Sequence, residues 1–314
     1  MHSKRRLGKG IEDISHFFLS STQPPDLNRQ WIENKSPTCK PRRPHRIIGV
    51  TSQTAGIPEF FWSSQLALAL SRFGKKVLVV DVGTEPEKLV SVLDSSVIHP
   101  SLNDLLQQPK RAISVEGPGG CRLLRFQIEL GELDQLNQVE RKILFQILEM
   151  EEGQTDILLL NLHLNMNHRG LFSYIQSLDE AVLVVSPQEL LGSYLILKAL
   201  FSVRPGLRVD LVEYGTSQGT YREGVHRLVF ASRGFLQRSP VVLGSVPVDG
   251  YKAAMGKFRA LNGEGPQVQA MAEIGKRILE GSNGLDSLDR GLFFKQIQSR
   301  WHHESKFGEE GGAQ

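Results

Sequence analysis

Hydrophobic and polar positions between residues 46 and 281 follow a regular alternation of short apolar runs and longer amphipathic segments. The apolar runs predict β-strands at residues 46–51, 76–81, 121–126, 156–161, 181–185, 207–213 and 240–246. The amphipathic segments predict helices near residues 60–73, 133–150, 169–177, 188–201, 220–236, 251–260 and 266–281. The strands are apolar almost throughout, so we expect both faces of the sheet to be covered. The pattern therefore predicts an α/β domain over residues 46–281, with a mostly parallel, twisted sheet and helices on both faces.

The first 45 residues have a different pattern, in which a short apolar stripe precedes a proline-rich stretch. The stripe consists of Ile11, Ile14, Phe17 and Phe18, at spacings that predict an amphipathic helix within residues 1–20. Residues 21–45 are basic, contain five prolines and hold too little apolar surface to fold alone, so we interpret them as a linker. The helix is a candidate partner-binding element, and docking on its own domain is the alternative.

Residues 282–314 form a second segment outside the domain, and they predict an amphipathic helix followed by a disordered tail. The apolar face of this helix consists of Leu288, Leu292, Phe293, Ile297 and Trp301. Basic residues and a tryptophan on such a helix are typical of membrane-surface binding, which usually requires a second membrane-binding element. We therefore expect this helix to bind a membrane or a partner, or else to pack against its own domain.

Composition narrows the class of protein further. The chain has 314 residues, 40% of them hydrophobic and only two cysteines, so a disulfide-rich or wholly disordered protein is excluded. No apolar run approaches the roughly 20 residues of a membrane-spanning helix, which predicts a cytoplasmic protein. The net charge of +3 is unevenly placed. Residues 1–46 carry ten Lys or Arg and four Asp or Glu, whereas the remainder carries 27 and 30.

The carboxyl end of the first predicted strand leads through a loop into a helix, which is where open parallel sheets bind ligands. The segments that follow are Phe73–Asp81, Ser101–Leu106, Leu178–Pro187 and Leu243–Asp249. Together and in this order, these segments resemble the MinD/ParA family of P-loop ATPases with a deviant Walker A loop, over about residues 46–281. MinD-like flagellar-number regulators are the branch that the sequence most resembles. The resemblance implies a nucleotide site at the first loop.

The residues at that expected site depart from the family pattern. The loop reads Ser52, Gln53, Thr54, Ala55, Gly56, Ile57, Pro58, Glu59 and Phe60. By the resemblance, Thr54 replaces the signature lysine, Glu59 replaces the phosphate-binding lysine, and Phe60 replaces the hydroxyl residue that helps to bind Mg²⁺. Since unit charges about 4 Å apart interact by about 4 kcal/mol at an effective dielectric of 20, replacing a lysine by Glu59 opposes phosphate binding.

Further positions implied by the resemblance are also altered. Asn161 stands where a Mg²⁺-binding aspartate is expected, and Glu213 stands near the position of an asparagine that contacts adenine. Asp81 and Asp249 are retained at the ends of their strands. An amide is a poor replacement for a carboxylate at a hard cation. We therefore predict a degenerate site with no catalytic residues and no metal site, and we expect no cofactor.

These observations favour a catalytically inactive regulatory or spatial-positioning scaffold that binds protein partners, at the inner face of the membrane if the C-terminal helix binds lipid. An active MinD/ParA relative or a component of polar or flagellar machinery would be such a partner. One alternative is an active ATPase that binds ATP and Mg²⁺ through an atypical loop, with Lys75 or Lys88 contacting phosphate. A second is a nucleic-acid-binding partition protein that uses the basic arm. His163, His168 and Cys121 lack metal-ligand spacing and predict structural or surface roles.

Overall fold

The computed structural model describes residues 46–53, 59–82, 114–124, 136–163, 169–215, 222–247, 265–281 and 291–300. The N-terminal helix and linker, the predicted helix at 251–260, and Thr54–Pro58, Lys88, His168, Asp249, Leu288 and Trp301 lie outside these ranges.

Within the described residues, eight strands form one sheet in the order β3-β4-β2-β5-β1-β6-β7-β8. The strands are β1 (Arg46–Gln53), β2 (Val77–Asp81), β3 (Ser114–Glu116), β4 (Arg122–Leu124), β5 (Ile157–Asn161), β6 (Glu180–Val185), β7 (Arg208–Gly215) and β8 (Val241–Pro247). All neighbouring strands are parallel except β3, which pairs antiparallel with β4. The predicted parallel sheet is confirmed, and β3 is an edge strand that the hydrophobic pattern missed because it is short and only partly buried.

Helices cover both faces of this sheet, as predicted. They are α1 (Glu59–Arg72), α2 (Gln138–Glu152), α3 (Arg169–Ser177), α4 (Leu190–Val203), α5 (Arg222–Ala231), α6 (Pro266–Glu280) and α7 (293–300). Side chains of α1 and α6 share one apolar cluster with alternate strand residues. Side chains of α2, α3, α4, α5 and α7 share a second cluster on the opposite face with the intervening strand residues. This alternation explains why the strands are apolar throughout.

Local features explain where three of the helices begin, end or divide. Asn137 caps α2 by accepting hydrogen bonds from the backbone N–H groups of Val139 and Glu140, so α2 begins later than the expected residue 133. Gly74, with φ of +73°, follows the end of α1 as a C′ glycine, as the sequence predicts. The helix expected over 220–236 is divided, because a π-helical turn at Ser232–Leu236 follows α5.

Candidate functional site

A buried polar cluster lies at the carboxyl edge of the sheet, with Asn161 at its centre. The Ser63 hydroxyl donates to Asn161 Oδ1 at 2.7 Å, and Asn161 Nδ2 donates to Asp81 Oδ1 at 3.0 Å. His163 Nε2 lies 3.0 Å from Asn161 Nδ2 and 3.6 Å from Asp81 Oδ1. Ser63, Asp81 and Asn161 are buried, whereas His163 is partly exposed. We call these four residues the amide cluster.

The strand register explains why the amide cluster forms here. Asp81 and Asn161 are the last residues of the adjacent strands β2 and β5, and they are paired in register. Strand alternation directs both side chains to the face covered by α1, on which Ser63 lies. The structure therefore brings together two positions that the sequence singled out, Asp81 and Asn161, with Ser63 and His163 beside them.

The groups in the amide cluster do not fit a Mg²⁺ ion. Mg²⁺ prefers oxygen ligands in near-octahedral geometry. Here Asp81 Oδ1 accepts an amide hydrogen, and Asn161 Oδ1, the oxygen that a cation would need, accepts the Ser63 hydroxyl. The amide cluster thus satisfies these oxygens with neutral donors of the chain itself. Across the described residues, no group of three or more His, Cys, Asp or Glu side chains has an arrangement that could hold a metal ion.

The residues of the predicted phosphate loop are described only at its two ends. Ser52 is buried near the end of β1, and Gln53 is the last residue of that strand. Glu59 is the first residue of α1. Phe60, at the position implied to carry the Mg²⁺-binding hydroxyl, is buried in the apolar cluster beneath α1. The aromatic ring at this position therefore contributes to core packing.

A small uncharged pocket lies at the other end of the same face, where α1 meets α6 and the ends of β7 and β8. It is lined by Phe61, Trp62, Gln65, Tyr214, Val246, Gln267 and Met271. Trp62 contacts Tyr214 edge to face, with ring centroids 5.0 Å apart. Strand alternation directs Tyr214 toward α1 and places Glu213 on the opposite face. Sequence reasoning singled out Glu213 and missed Trp62 and Tyr214, although the aromatic run at the start of α1 was a usable signal.

The suggestion that Lys75 contacts phosphate is wrong on placement, whereas the expectation that Cys121 and His163 do not form a metal site agrees with the structure. Lys75 lies just before β2 begins, at the amino edge of the sheet, so it cannot contact a phosphate at the carboxyl edge. Cys121 likewise precedes β4, whereas His163 follows β5, so parallel strands hold these two residues at opposite edges. Burial raises the pKa of the Cys121 thiol to about 11, which keeps it neutral and unreactive.

The amino edge of the sheet holds a buried ionic network that sequence reasoning did not predict. Arg46 forms an ion pair with Glu180 and donates to the carbonyl of Ile278. Arg208 lies 3.7 Å from Glu180 and 3.1 Å from Asp210, and it donates to the Gly281 carbonyl at 2.6 Å. Burial raises the pKa of Glu180 to about 7 and also raises that of Asp210, while Arg46 and Arg208 oppose both shifts. We call these four residues the ionic network.

The described part of the C-terminal segment packs into its own domain. Leu292, Phe293 and Ile297 are buried, and Phe293 stacks on Tyr174 of α3. The backbone N–H groups of Phe293 and Phe294 donate to the buried carboxylate of Glu152, the latter at 3.0 Å. This arrangement corrects the expectation of a membrane or partner face at these three residues, because their side chains are occupied by the core. None of the helices within the described ranges is long and apolar enough to span a membrane.

The sequence matches no protein-family model and no curated protein. Solved structures do share its fold. MinD of Pyrococcus horikoshii, complexed with Mg-ADP, is 16% identical, with a TM-score of 0.54 over 77% of this chain and 99% of that chain. Cobyrinic acid a,c-diamide synthase of Mycobacterium smegmatis, with bound ATP analogue and magnesium, is 17% identical, with a TM-score of 0.54 over 76% and 96%. A chain of the MinC:MinD cell division complex of Aquifex aeolicus is 17% identical, with a TM-score of 0.52 over 75% and 96%.

These likenesses establish the class of fold. The chain has the α/β fold of the MinD/ParA-type P-loop ATPases, as the ordered motifs of the sequence predict.

Proposed function

We propose that this protein is a MinD/ParA-type protein that has lost ATP hydrolysis and tight binding of Mg-ATP and acts as a bacterial regulatory or positioning scaffold. The observation that carries the proposal is the amide cluster. Asn161 donates a hydrogen to Asp81 at the edge where a parallel sheet binds ligands, and its own oxygen accepts the Ser63 hydroxyl. A cation at this point would have to displace two buried hydrogen bonds.

The expected phosphate loop supports the same conclusion. P-loops hold phosphate with backbone N–H groups and a lysine. In this chain Pro58 lacks the N–H, Glu59 adds a negative charge, and the ring of Phe60 is buried in the core. Nucleotide phosphates would therefore meet repulsion where an active P-loop ATPase offers a cation.

A scaffold acts through partners, and the fold is compatible with this role. The Aquifex aeolicus structure is a complex of MinD with MinC. We infer that the present chain also binds protein partners, including an active relative or a component of polar or flagellar machinery. The N-terminal stripe of Ile11, Ile14, Phe17 and Phe18 is a candidate contact for such a partner.

Calorimetric titration of the full-length chain with ATP and Mg²⁺ tests the loss of nucleotide binding. We expect no saturable heat up to about 1 mM nucleotide, the range in which binding contributes only about 4 kcal/mol. Low-micromolar binding that is lost in a Ser52→Ala, Gly56→Ala variant would contradict the proposal and favour an active ATPase with an atypical loop. A variant with Thr54→Lys, Glu59→Lys, Phe60→Thr and Asn161→Asp should bind more tightly than the natural chain if these groups account for the loss.

A further inference from the structure

Four large apolar side chains are exposed on neighbouring elements of one helical layer. Leu191 and Leu195 on α4 are 74% and 47% exposed. Phe230 on α5 is 78% exposed, and Phe235 on the π-helical turn that follows is 74% exposed. Exposed apolar side chains in such a group mark an interaction surface more often than isolated ones do.

The helices that carry these side chains lie next to each other on the same face of the sheet. Leu197 of α4 and Leu228 of α5 are buried in the same apolar cluster. At the start of α5, a Cβ added to Gly224 would lie 3.7 Å from the side chain of Leu190, the first residue of α4. Because Leu191 and Leu195 are one turn apart on the outward side of α4, they share the outer surface of the layer with Phe230.

The charges carried by these elements are mostly positive. Residues 189–204 and 222–240 contain six Lys or Arg and two acidic residues, Glu189 and Glu223. Four of the basic residues are Lys198, Arg227, Arg233 and Arg238, of which the three arginines are exposed. By contrast, α2 covers the same face of the sheet at its other end, where Glu149 and Glu151 lie in its last turn and Arg141 and Lys142 lie near its start. We call the four apolar and four cationic residues the α4–α5 surface.

We propose that the α4–α5 surface binds an anionic lipid bilayer, with Leu191, Leu195, Phe230 and Phe235 inserted at the level of the headgroups. Leucine and phenylalanine side chains flanked by lysine and arginine are the combination that binds the interface of anionic membranes. Charge argues against two other possible occupants of this surface, a second copy of the chain and its own N-terminal arm. A second copy would bring like charges together, and the N-terminal arm of this chain is itself strongly basic.

This proposal is independent of the nucleotide site and does not use the C-terminal helix. The apolar residues Leu292, Phe293 and Ile297 of that segment are already buried in the core. Binding through the α4–α5 surface therefore requires no release of a packed element. It also leaves the amide cluster free of the membrane, because that cluster lies on the opposite face of the sheet, beneath α1.

Co-sedimentation of the full-length protein with vesicles tests the proposal. Vesicles of phosphatidylcholine with about 30% phosphatidylglycerol are compared with vesicles of pure phosphatidylcholine. Lysine and arginine side chains at a membrane surface are attracted to anionic lipid, so only the first kind should bind the protein strongly. One variant combines Phe230→Ser with Phe235→Ser, and a second combines Arg233→Glu with Arg238→Glu. The matched control is Met150→Ser, since Met150 on α2 is 50% exposed on the acidic end of the same layer. Thermal unfolding of each variant confirms that these exposed substitutions leave the domain folded.

We expect the natural chain and Met150→Ser to sediment equally with anionic vesicles and weakly with pure phosphatidylcholine. Loss of two inserted phenylalanines should lower the partition coefficient by about tenfold or more, and charge reversal should lower it by a similar factor. Equal binding of the Phe230→Ser, Phe235→Ser variant would assign membrane binding to the basic arm and overturn the proposal. Failure of the natural chain to sediment with anionic vesicles would also overturn it and would favour an acidic amphipathic protein as the occupant of this surface.

Discussion

The two edges of the sheet satisfy buried polar groups in opposite ways. At the amino edge, the ionic network places Glu180 and Asp210 against Arg46 and Arg208, so carboxylates are balanced by guanidinium groups. At the carboxyl edge, the carboxylate of Asp81 accepts a hydrogen bond from the amide of Asn161 and lies close to His163. The Ser63 hydroxyl donates in turn to the oxygen of that amide.

This difference distinguishes buried charges that stabilise the fold from charges that would be available to bind a ligand. The ionic network joins the starts of β1, β6 and β7 to the end of α6, and each charge in it has a partner within the chain. A ligand-binding site needs polar groups that can bond to the ligand. In the amide cluster, donors of the chain itself already bond to Asp81 Oδ1 and Asn161 Oδ1.

Removal of Arg46 should give the largest effect, because it leaves Glu180 buried without its ion-pair partner. Arg46→Ala should lower the free energy of unfolding by about 3–5 kcal/mol at pH 8. Burial already raises the pKa of Glu180 from 4.5 to about 7 in the folded protein, and Arg46 opposes that shift. Both folded forms then hold a proton that the unfolded chain releases above about pH 4.5. Because removal of Arg46 raises the pKa of Glu180 further, only the variant keeps this proton above pH 7, so the loss of stability relative to the natural chain should increase as pH rises above about 7.

Urea unfolding at several pH values measures this effect. The control is Lys276→Ala, which removes an exposed ion pair with Glu280 at 3.9 Å and should cost less than about 1 kcal/mol. If Arg46→Ala cost no more than Lys276→Ala, the ionic network would not be a stabilising feature of the amino edge.

Glu152 sharpens the comparison, because it is a buried carboxylate near the amino edge that accepts hydrogen bonds from backbone N–H groups. Its two oxygens accept the N–H groups of Phe293 and Phe294 at the start of α7. Glu152→Gln keeps one acceptor and turns an amide donor toward the other N–H, so the contact should weaken by about 2 kcal/mol. Faster hydrogen exchange in residues 291–300 would show the release of α7, and α2 should be unaffected.

Glu273→Gln is the matched control, since Glu273 forms an exposed ion pair with Arg277 at 3.5 Å. Unchanged exchange in 291–300 for both variants would mean that apolar packing alone holds α7 in place.

The sequence predicted the sheet well because burial on both faces leaves little freedom in the strands. The seven predicted strands all exist, with ends shifted by one or two residues, as in β7, which starts one residue later at Arg208 and extends two residues further to Gly215. The helix over 133–150 was placed too early, since its start depends on the capping hydrogen bonds of Asn137 and not on the apolar period. The short edge strand β3 has no such pattern.

The site was predicted only in part, for a related physical reason. Position along the strands located Asp81 and Asn161 at one edge, and the register of β2 and β5 then brings them together. The hydroxyl of Ser63 reaches this pair from α1, and the ring of Tyr214 contacts Trp62 at the pocket, and no local pattern specifies those contacts. The docking of Phe293 on Tyr174 is likewise a long-range contact that an amphipathic period cannot distinguish from a membrane face.

Asn161→Asp is the most direct test of the difference between the two edges. The substitution places a second carboxylate beside Asp81, about 3 Å away, without the guanidinium that the amino edge provides. We expect a loss of about 1–3 kcal/mol in the free energy of unfolding at pH 8 and a smaller loss at pH 5, because two close carboxylates share a proton that is lost as pH rises.

Urea unfolding with and without Mg²⁺ measures this loss. The control is Asn161→Ala, which removes the same hydrogen bonds without adding charge. Recovery of stability with millimolar Mg²⁺ only in Asn161→Asp would show that the amide alone keeps a cation out. A loss that is independent of both pH and Mg²⁺, and equal to that of Asn161→Ala, would mean that packing at position 161 matters and its charge does not.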